Sequence, residues 1–245
     1  MKTHKKRQLS QDFIDSVEAT EFRRLEYRLF GNASMNKQKV FMVTSANLGE
    51  GKSTISSLLS MTHAYHRNLS TLLIDCDLRR PSIHKMFSLS QENGLAEYFE
   101  GTAGANELVK DTHLSDLKVI TAGRSSHSAS ELLALDPLKR LIDTVGSTYE
   151  MIILDSPPII PVSDPLIIAD AADGIYWIMK AGYTKKKMIK HALEMLGDKR
   201  EKIAGTVINN AKNVMPYYYD YSYYGNKYKQ SRKEQKMLLE EKVPN

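Results

Sequence analysis

Two glycines, a lysine and a hydroxyl in the order Gly49-Glu50-Gly51-Lys52-Ser53 are the residues of this chain best suited to hold a polyphosphate. Gly49 and Gly51 carry no Cβ, so the backbone N–H groups around them can close on phosphate oxygens. Lys52 can then reach the β- and γ-phosphates, and the Ser53 hydroxyl can sit on Mg²⁺. The stretch from Ser45 to Thr54 follows directly on the apolar run Val40-Phe41-Met42-Val43. That order is strand, phosphate loop, helix, with the positive end of the helix dipole at the phosphates. Asn47, Gly49, Glu50, Gly51, Lys52, Ser53 and Thr54 are the expected nucleotide-binding residues. The loop departs from the usual pattern at Ala46, where a glycine is expected five positions before Gly51.

Two further apolar runs end on carboxylates. One is Thr71-Leu72-Leu73-Ile74-Asp75-Cys76-Asp77, followed by Leu78-Arg79-Arg80-Pro81; the other is Met151-Ile152-Ile153-Leu154-Asp155, followed by Ser156-Pro157-Pro158. Alternation along an extended chain puts Asp75 and Asp77 on the same side of the strand end. In open α/β sheets ligands bind beyond the carboxyl ends of the strands, so all three aspartates fall where the phosphates belong. An aspartate so placed holds Mg²⁺, usually through water. A strand-end aspartate can equally cap the next helix, and that alternative stays open for each.

The elements that must position these groups are legible in the pattern. Strands are expected at 40–44, 71–74, 117–121, 151–154, 175–179 and 203–208, with helix-length segments between them at 54–64, 130–141 and 187–196. Ahead of the sheet, Glu18 to Phe30 reads as an amphipathic helix, with Phe22, Leu25 and Leu29 on one side and Arg23, Arg24, Glu26 and Arg28 elsewhere. Strands alternating with helices imply an α/β fold of three layers, a mostly parallel sheet with helices on both faces.

The 245 residues suffice for one sizeable α/β domain, and 42% hydrophobic with 26% charged residues is ordinary for a globular protein. The net charge of +5 gathers partly at the ends, in Lys2, His4, Lys5, Lys6 and Arg7 and again in Lys227, Lys229, Arg232 and Lys233. Such ends favour acidic partners or are simply solvated. The lone Cys76 excludes an intrachain disulfide and suits a reducing compartment. No apolar run approaches the ~18 residues that cross a bilayer, and the polar start is no signal peptide, so a soluble protein is expected.

Beyond Ala211 the chain changes character. Tyr217, Tyr218, Tyr219, Tyr221, Tyr223, Tyr224 and Tyr228 put seven of its 13 tyrosines into 12 positions. Their spacing matches neither a strand nor a helix face, which argues against a core role. Taken alone, they read as a sticky tail or as a stacking surface for single-stranded nucleic acid. Beside a nucleotide site they read as a store of phosphate-accepting hydroxyls. The expected organisation is a basic extension over 1–17, a nucleotide-binding domain over 18–212 that includes the first helix, and a tyrosine-rich tail over 213–245.

The loop Ser45–Thr54, the strand Leu72–Pro81, the strand Ile152–Pro158 and the terminal tyrosines together resemble the bacterial tyrosine autokinases of polysaccharide export. His84-Lys85-Met86-Phe87, Gly94-Leu95-Ala96-Glu97-Tyr98-Phe99 and Ser130-Glu131-Leu132-Leu133 resemble segments the family carries between these motifs. The resemblance implies a phosphate-loop NTPase fold of the deviant Walker type that uses ATP and Mg²⁺. Its catalytic residues would be Lys52, Asp75, Asp77 and Arg79: Lys52 stabilising the transferred phosphoryl group, Asp75 orienting or deprotonating the attacking tyrosine, Arg79 in the same strand-end cluster. Ser53, Asp77 and Asp155 would hold Mg²⁺ directly or through water. Asn209, in Gly205-Thr206-Val207-Ile208-Asn209, would read the adenine edge, though a loop asparagine closing a turn is the alternative.

The same resemblance implies transfer to the tail tyrosines between protomers of a ring that forms when unphosphorylated. A membrane-embedded polysaccharide co-polymerase adaptor and a cognate tyrosine phosphatase are the implied partners, with no nucleic acid. The implied location is the cytoplasm, at the inner face of the membrane. Two departures stand out. Glu21 and Arg24 fit the family's ring-forming pattern, but Tyr27 replaces the next arginine and Arg28 comes one residue late. Gly123-Arg124-Ser125-Ser126-His127-Ser128 lacks the family's prolines and asparagine, and His127 reads as a surface residue. The rivals are a partition or septum-positioning ATPase, whose signature lysine is Asn47 here, and a non-catalytic ATP-binding ring scaffold.

Overall fold

The structure, a computed structural model, describes residues 13, 16–30 and 38–211. The basic start and the tyrosine tail lie outside them. In chain order the elements are α1 (Val17–Phe30), β1 (Val40–Ser45), α2 (Lys52–Arg67), β2 (Thr71–Asp75), α3 (Ile83–Phe87) and α4 (Leu95–Phe99). There follow β3 (Val109–Asp111), β4 (Leu117–Ile120), α5 (Ala129–Leu132), α6 (Leu135–Gly146) and β5 (Met151–Asp155). The last four are α7 (Asp164–Ala171), β6 (Gly174–Lys180), α8 (Lys186–Leu196) and β7 (Ile203–Asn209).

Strands covered on both faces must be apolar at nearly every position. β1, β2 and β5 are buried at every residue and occupy the middle of a sheet ordered β3-β4-β2-β5-β1-β6-β7. All neighbours run parallel except the short edge strand β3, which is antiparallel to β4. Alternate residues feed opposite cores. Met42, Leu72, Ile74, Ile152, Leu154 and Trp177 pack with α6, α7 and α8, whereas Phe41, Val43, Leu73, Ile153 and Tyr176 pack with α1 and α2. Three layers result, as the alternation of elements predicts. Because β5 lies between β2 and β1, the ends of these three parallel strands come together at one edge.

One expected helix is two. The segment 130–141 breaks at the extended Leu133 and Ala134 into α5 and α6. Pro137 lacks an N–H and fits only the first turn of a helix, so the new helix begins two residues ahead of it. Sequence patterning also misses α3, α4 and β3, each five residues or shorter, and α7, whose entry is set by Pro165 in its first turn. Among the described residues no helix is long and apolar enough to cross a membrane.

The amphipathic first helix is seated by a charged residue as well as by its apolar face. Glu26 is buried, 2.8 Å from His63 Nδ1, and accepts from Arg67 Nε at 3.3 Å, both on α2. Beside it, Phe30 meets the Phe41, His63 and Tyr176 rings edge-on, and the Tyr176 hydroxyl donates to the Leu29 carbonyl at 2.7 Å. On the outer side Arg24 pairs with Glu21 at 2.9 Å, while Tyr27 is 70% exposed under the Arg67 guanidinium. Burial pushes the Glu26 carboxyl up, but the hydrogen bonds and charges of His63 and Arg67 outweigh it and hold the group below its ordinary value.

Glu26→Ala should therefore cost about 3 kcal/mol in urea unfolding at neutral pH, since it strands a buried partner. A carboxyl with a depressed folded pKa contributes fully above its unfolded value of about 4.3 and loses that contribution as pH falls through the lower folded value. The gap between wild type and variant should accordingly narrow in acid; a gap unchanged down to the acid limit would remove Glu26 from the account.

Candidate nucleotide site

The loop after β1 takes the backbone shape its glycines permit. Gly49 and Gly51 have φ of 74° and 97°, in the left-handed region that side chains avoid. At Gly51 a Cβ would also lie 2.2 Å from Asn209 Nδ2. Gly51 is the N-cap of α2 and offers no side-chain cap, so the first N–H groups of that 16-residue helix are available to an anion. Lys52, its first residue, is only 7% exposed, Ser53 is half-buried and Thr54 is exposed.

Three carboxylates converge beside it. Asp75 and Asp155 are register partners on adjacent parallel strands, and neither has any exposed surface. Asp155 Oδ1 accepts from the Ser56 hydroxyl at 2.9 Å, while its buried Oδ2 has no partner among the described residues. Burial raises the Asp155 carboxyl to about 6; Ser53, Lys52 and Ser56 hold it back, and Asp77 adds to the rise. Asp75 is pushed well above the usual carboxylate range, first by burial and then by the charge of Asp155. Asp75 also realises the capping alternative: Oδ2 accepts from Ser82 N and Ile83 N at 3.1 Å each, at the start of α3. Its Oδ1 accepts from Asp77 N at 3.2 Å. Asp77, just past the strand and 7% exposed, accepts from Arg80 N at 3.0 Å.

Several expected contacts are used differently. Arg79 reaches away to Asp164, the first residue of α7, with Nε and a terminal nitrogen at 2.8 and 3.2 Å from its two oxygens. It stands near Asp77 but acts as a tie between the β2–α3 loop and α7. The Glu50 carboxylate is fully buried, accepting from Asn47 N at 2.8 Å and from the Thr184 hydroxyl. Only its backbone remains for the nucleotide. The Asn47 side chain accepts from Leu48 N at 2.8 Å. Asn209 Nδ2 donates to the Glu50 carbonyl at 2.9 Å and its Oδ1 accepts from Asn210 N at 2.8 Å. One N–H and one lone pair of that amide are left over, the complement that an adenine edge needs.

Sequence reasoning missed Ser56, Asp164 and Thr184. Ser56 was findable, because it lies four residues after Lys52 on the same helix face. Nothing in the sequence joins Thr184 to Glu50, 134 positions away. Among the described residues no three His, Cys, Asp or Glu side chains form a ready metal cage. Mg²⁺ that arrives with phosphates needs few protein ligands, and the unpartnered Oδ2 of Asp155 beside Lys52 and Ser53 fits a hydrated cation.

No protein-family model matches the sequence. Tyrosine-protein kinase YwqD of Bacillus subtilis is 34% identical over 196 residues, 80% of this chain and 81% of that protein. The chain belongs to the bacterial tyrosine-protein kinases. Tyrosine-protein kinase CpsD of Streptococcus agalactiae is 31% identical over 78% of the chain and 84% of its own length. Among solved structures, the kinase domain of Escherichia coli tyrosine kinase ETK superposes with a TM-score of 0.74 at 26% identity, covering 90% of this chain and 89% of that one. The chimerical protein CapA2B2 matches at 0.74 and 25%, over 80% and 88%. The septum site-determining protein MinD of Pyrococcus horikoshii, at 0.60 and 15% over 72% of each chain, shares the fold alone. The bacterial tyrosine kinase fold and a protein-tyrosine kinase activity that binds nucleotide are thereby established for this chain.

A buried carboxyl whose pKa rises from 3.8 to about 6 favours its protonated form when folded, so stability falls as pH climbs through that window. Asp155→Asn removes this cost while keeping the Ser56 contact. It should stabilise the nucleotide-free protein at pH 7 by on the order of 1–3 kcal/mol. A lower melting temperature for the variant would contradict the electrostatic reading of the site.

Proposed function

We propose that this kinase transfers the γ-phosphoryl group of ATP to tyrosines of its own tail, between protomers, and thereby regulates polysaccharide synthesis and export. The observation that carries the proposal is the convergence of Lys52 with three buried carboxylates at a helix start shaped for phosphate. The acceptors proposed are Tyr217, Tyr218, Tyr219, Tyr221, Tyr223, Tyr224 and Tyr228, which lie outside the described residues.

In the transfer a tyrosine oxygen forms a bond to the γ-phosphorus as the bond to the β-bridging oxygen breaks, and ADP leaves. The transition state is loose, so positioning and charge neutralisation carry most of the rate. Lys52 and the loop N–H groups clamp the phosphates, while Asp75 orients the acceptor hydroxyl and takes its proton late. Burial beside Asp155 makes Asp75 a stronger base than an ordinary aspartate. Ser53, Asp77 and Asp155 are the proposed holders of Mg²⁺, which would neutralise charge on the bridging oxygens. Arg79 acts by fixing the loop that carries Asp77, and Asn209 retains capacity for the adenine edge.

A membrane-embedded co-polymerase adaptor would recruit and activate the kinase at the inner face of the membrane, and a tyrosine phosphatase would reverse the modification. Glu21 and Arg24, which pair with each other here, are the proposed start of a ring contact on α1. The positioning-ATPase rival is disfavoured because Asn47 stands where that class has its signature lysine.

Lys52→Met should abolish phosphotyrosine, since it removes the charge that clamps the phosphates, and should lower the melting temperature of the empty protein, since the same charge offsets Asp155. Changing the seven tail tyrosines to phenylalanine should remove nearly all labelling with ADP affinity unchanged. Label appearing instead on Tyr27, Tyr98 or Tyr183 would move the acceptor site elsewhere.

Each phosphate adds close to two negative charges, so several on one tail should drive protomers apart. Light scattering should give oligomers for the Lys52→Met chain and a monomer for the phosphorylated one. Mixing Lys52→Met chains with an active chain lacking its tail should label the inactive partner; unlabelled tails would exclude transfer between chains.

A further inference from the structure

Glu50 is a carboxylate with no exposed surface and, among the described residues, no ion pair. A buried charge so placed depends on its hydrogen bonds. Two donors serve it: Asn47 N–H, inside the phosphate loop, and the Thr184 hydroxyl, outside it. Thr184 lies in the turn between β6 and α8. Its oxygen accepts from Lys180 N at 2.8 Å, and its own N–H donates to the Lys180 carbonyl at 2.9 Å. With the hydroxyl oxygen engaged by Lys180, its proton is directed to Glu50.

The same residue is gripped a second time through its backbone, where Asn209 donates to its carbonyl. On either side of Glu50 stand Gly49 and Gly51, whose left-handed conformations leave this stretch pliable when unbraced. β6 pairs with β1 up to Ser45 and Ile178, so the end of β6 overhangs the loop. Lys180 Nζ even reaches the Gly49 carbonyl at 3.5 Å.

We infer that Thr184 is a positioning residue of the kinase: through Glu50 it holds the phosphate loop in its phosphate-accepting shape before the nucleotide enters. The inference rests on the nucleotide role proposed for the loop. It makes Thr184 an affinity determinant that never touches the nucleotide. Removing the hydroxyl leaves Glu50 Oε1 buried without a donor, and the loop must open to hydrate it.

The test uses the full chain, with ADP and Mg²⁺ titrated by calorimetry and tail phosphorylation followed against ATP concentration. Thr184→Val should weaken ADP about tenfold and raise the KM for ATP by a similar factor, with kcat at saturation within about twofold. Thr184→Ser, which keeps the hydroxyl, should restore both. Adding Thr184→Val to Glu50→Leu, which removes both acceptor oxygens, should weaken ADP no further than Glu50→Leu alone, because the two act through one bond. Equal ADP affinity for wild type and Thr184→Val, or a Thr184→Ser variant as weak as Thr184→Val, overturns the inference and leaves the site reading intact. A wild-type chain that binds no ADP overturns both.

Discussion

Two carboxylates, Asp75 and Asp155, are buried side by side at the ends of neighbouring parallel strands, and much of the surrounding architecture answers that one electrostatic problem. Desolvation raises both groups above the usual range, with the charge of Asp155 adding to the rise at Asp75 and that of Asp77 to the rise at Asp155. The backbone N–H groups of Ser82 and Ile83 satisfy one, the Ser56 hydroxyl the other, and Lys52 supplies the nearby positive charge. What these partners leave uncovered is an oxygen of Asp155. A pair held in this condition opposes folding of the empty protein, and positive charge brought beside it would offset that cost. Stability is thus subordinated to the chemistry proposed for the site, as a strained active site requires.

The two flanking layers divide the work. On one face α2 begins at the glycine loop and, three turns later, receives α1 through His63, Arg67 and Glu26. The phosphate loop and the first helix are therefore mounted on the same rigid rod, about 24 Å long at 1.5 Å per residue. On the other side of β1, the ends of β6 and β7 brace the loop through Thr184 and Asn209. The loop is glycine-rich, yet its freedom is bounded by contacts from three elements.

Much of this was legible in the sequence because it follows from local rules. Fully apolar strands, a glycine loop after the first of them and carboxylates at two others place the site at one sheet edge with no further information. Short elements were not legible: α3 and α4 span five residues each and present too little periodicity to register. The break at Ala134 could have been read from Pro137, and the roles of Glu50 and Arg79 could not. Both carry charges that look directed at phosphates in one dimension, and both are turned by partners far along the chain, Thr184 and Asp164. Long-range pairing of charged side chains depends on the sheet order, which a single sequence does not print.

Asn209 ends the last strand, grips the Glu50 carbonyl, and stands eight residues ahead of the first tail tyrosine. The root of the tail and the rim of the phosphate loop consequently share a bond. Displacing Asn209 therefore removes a contact of the loop, and displacing the loop removes a contact of the strand end.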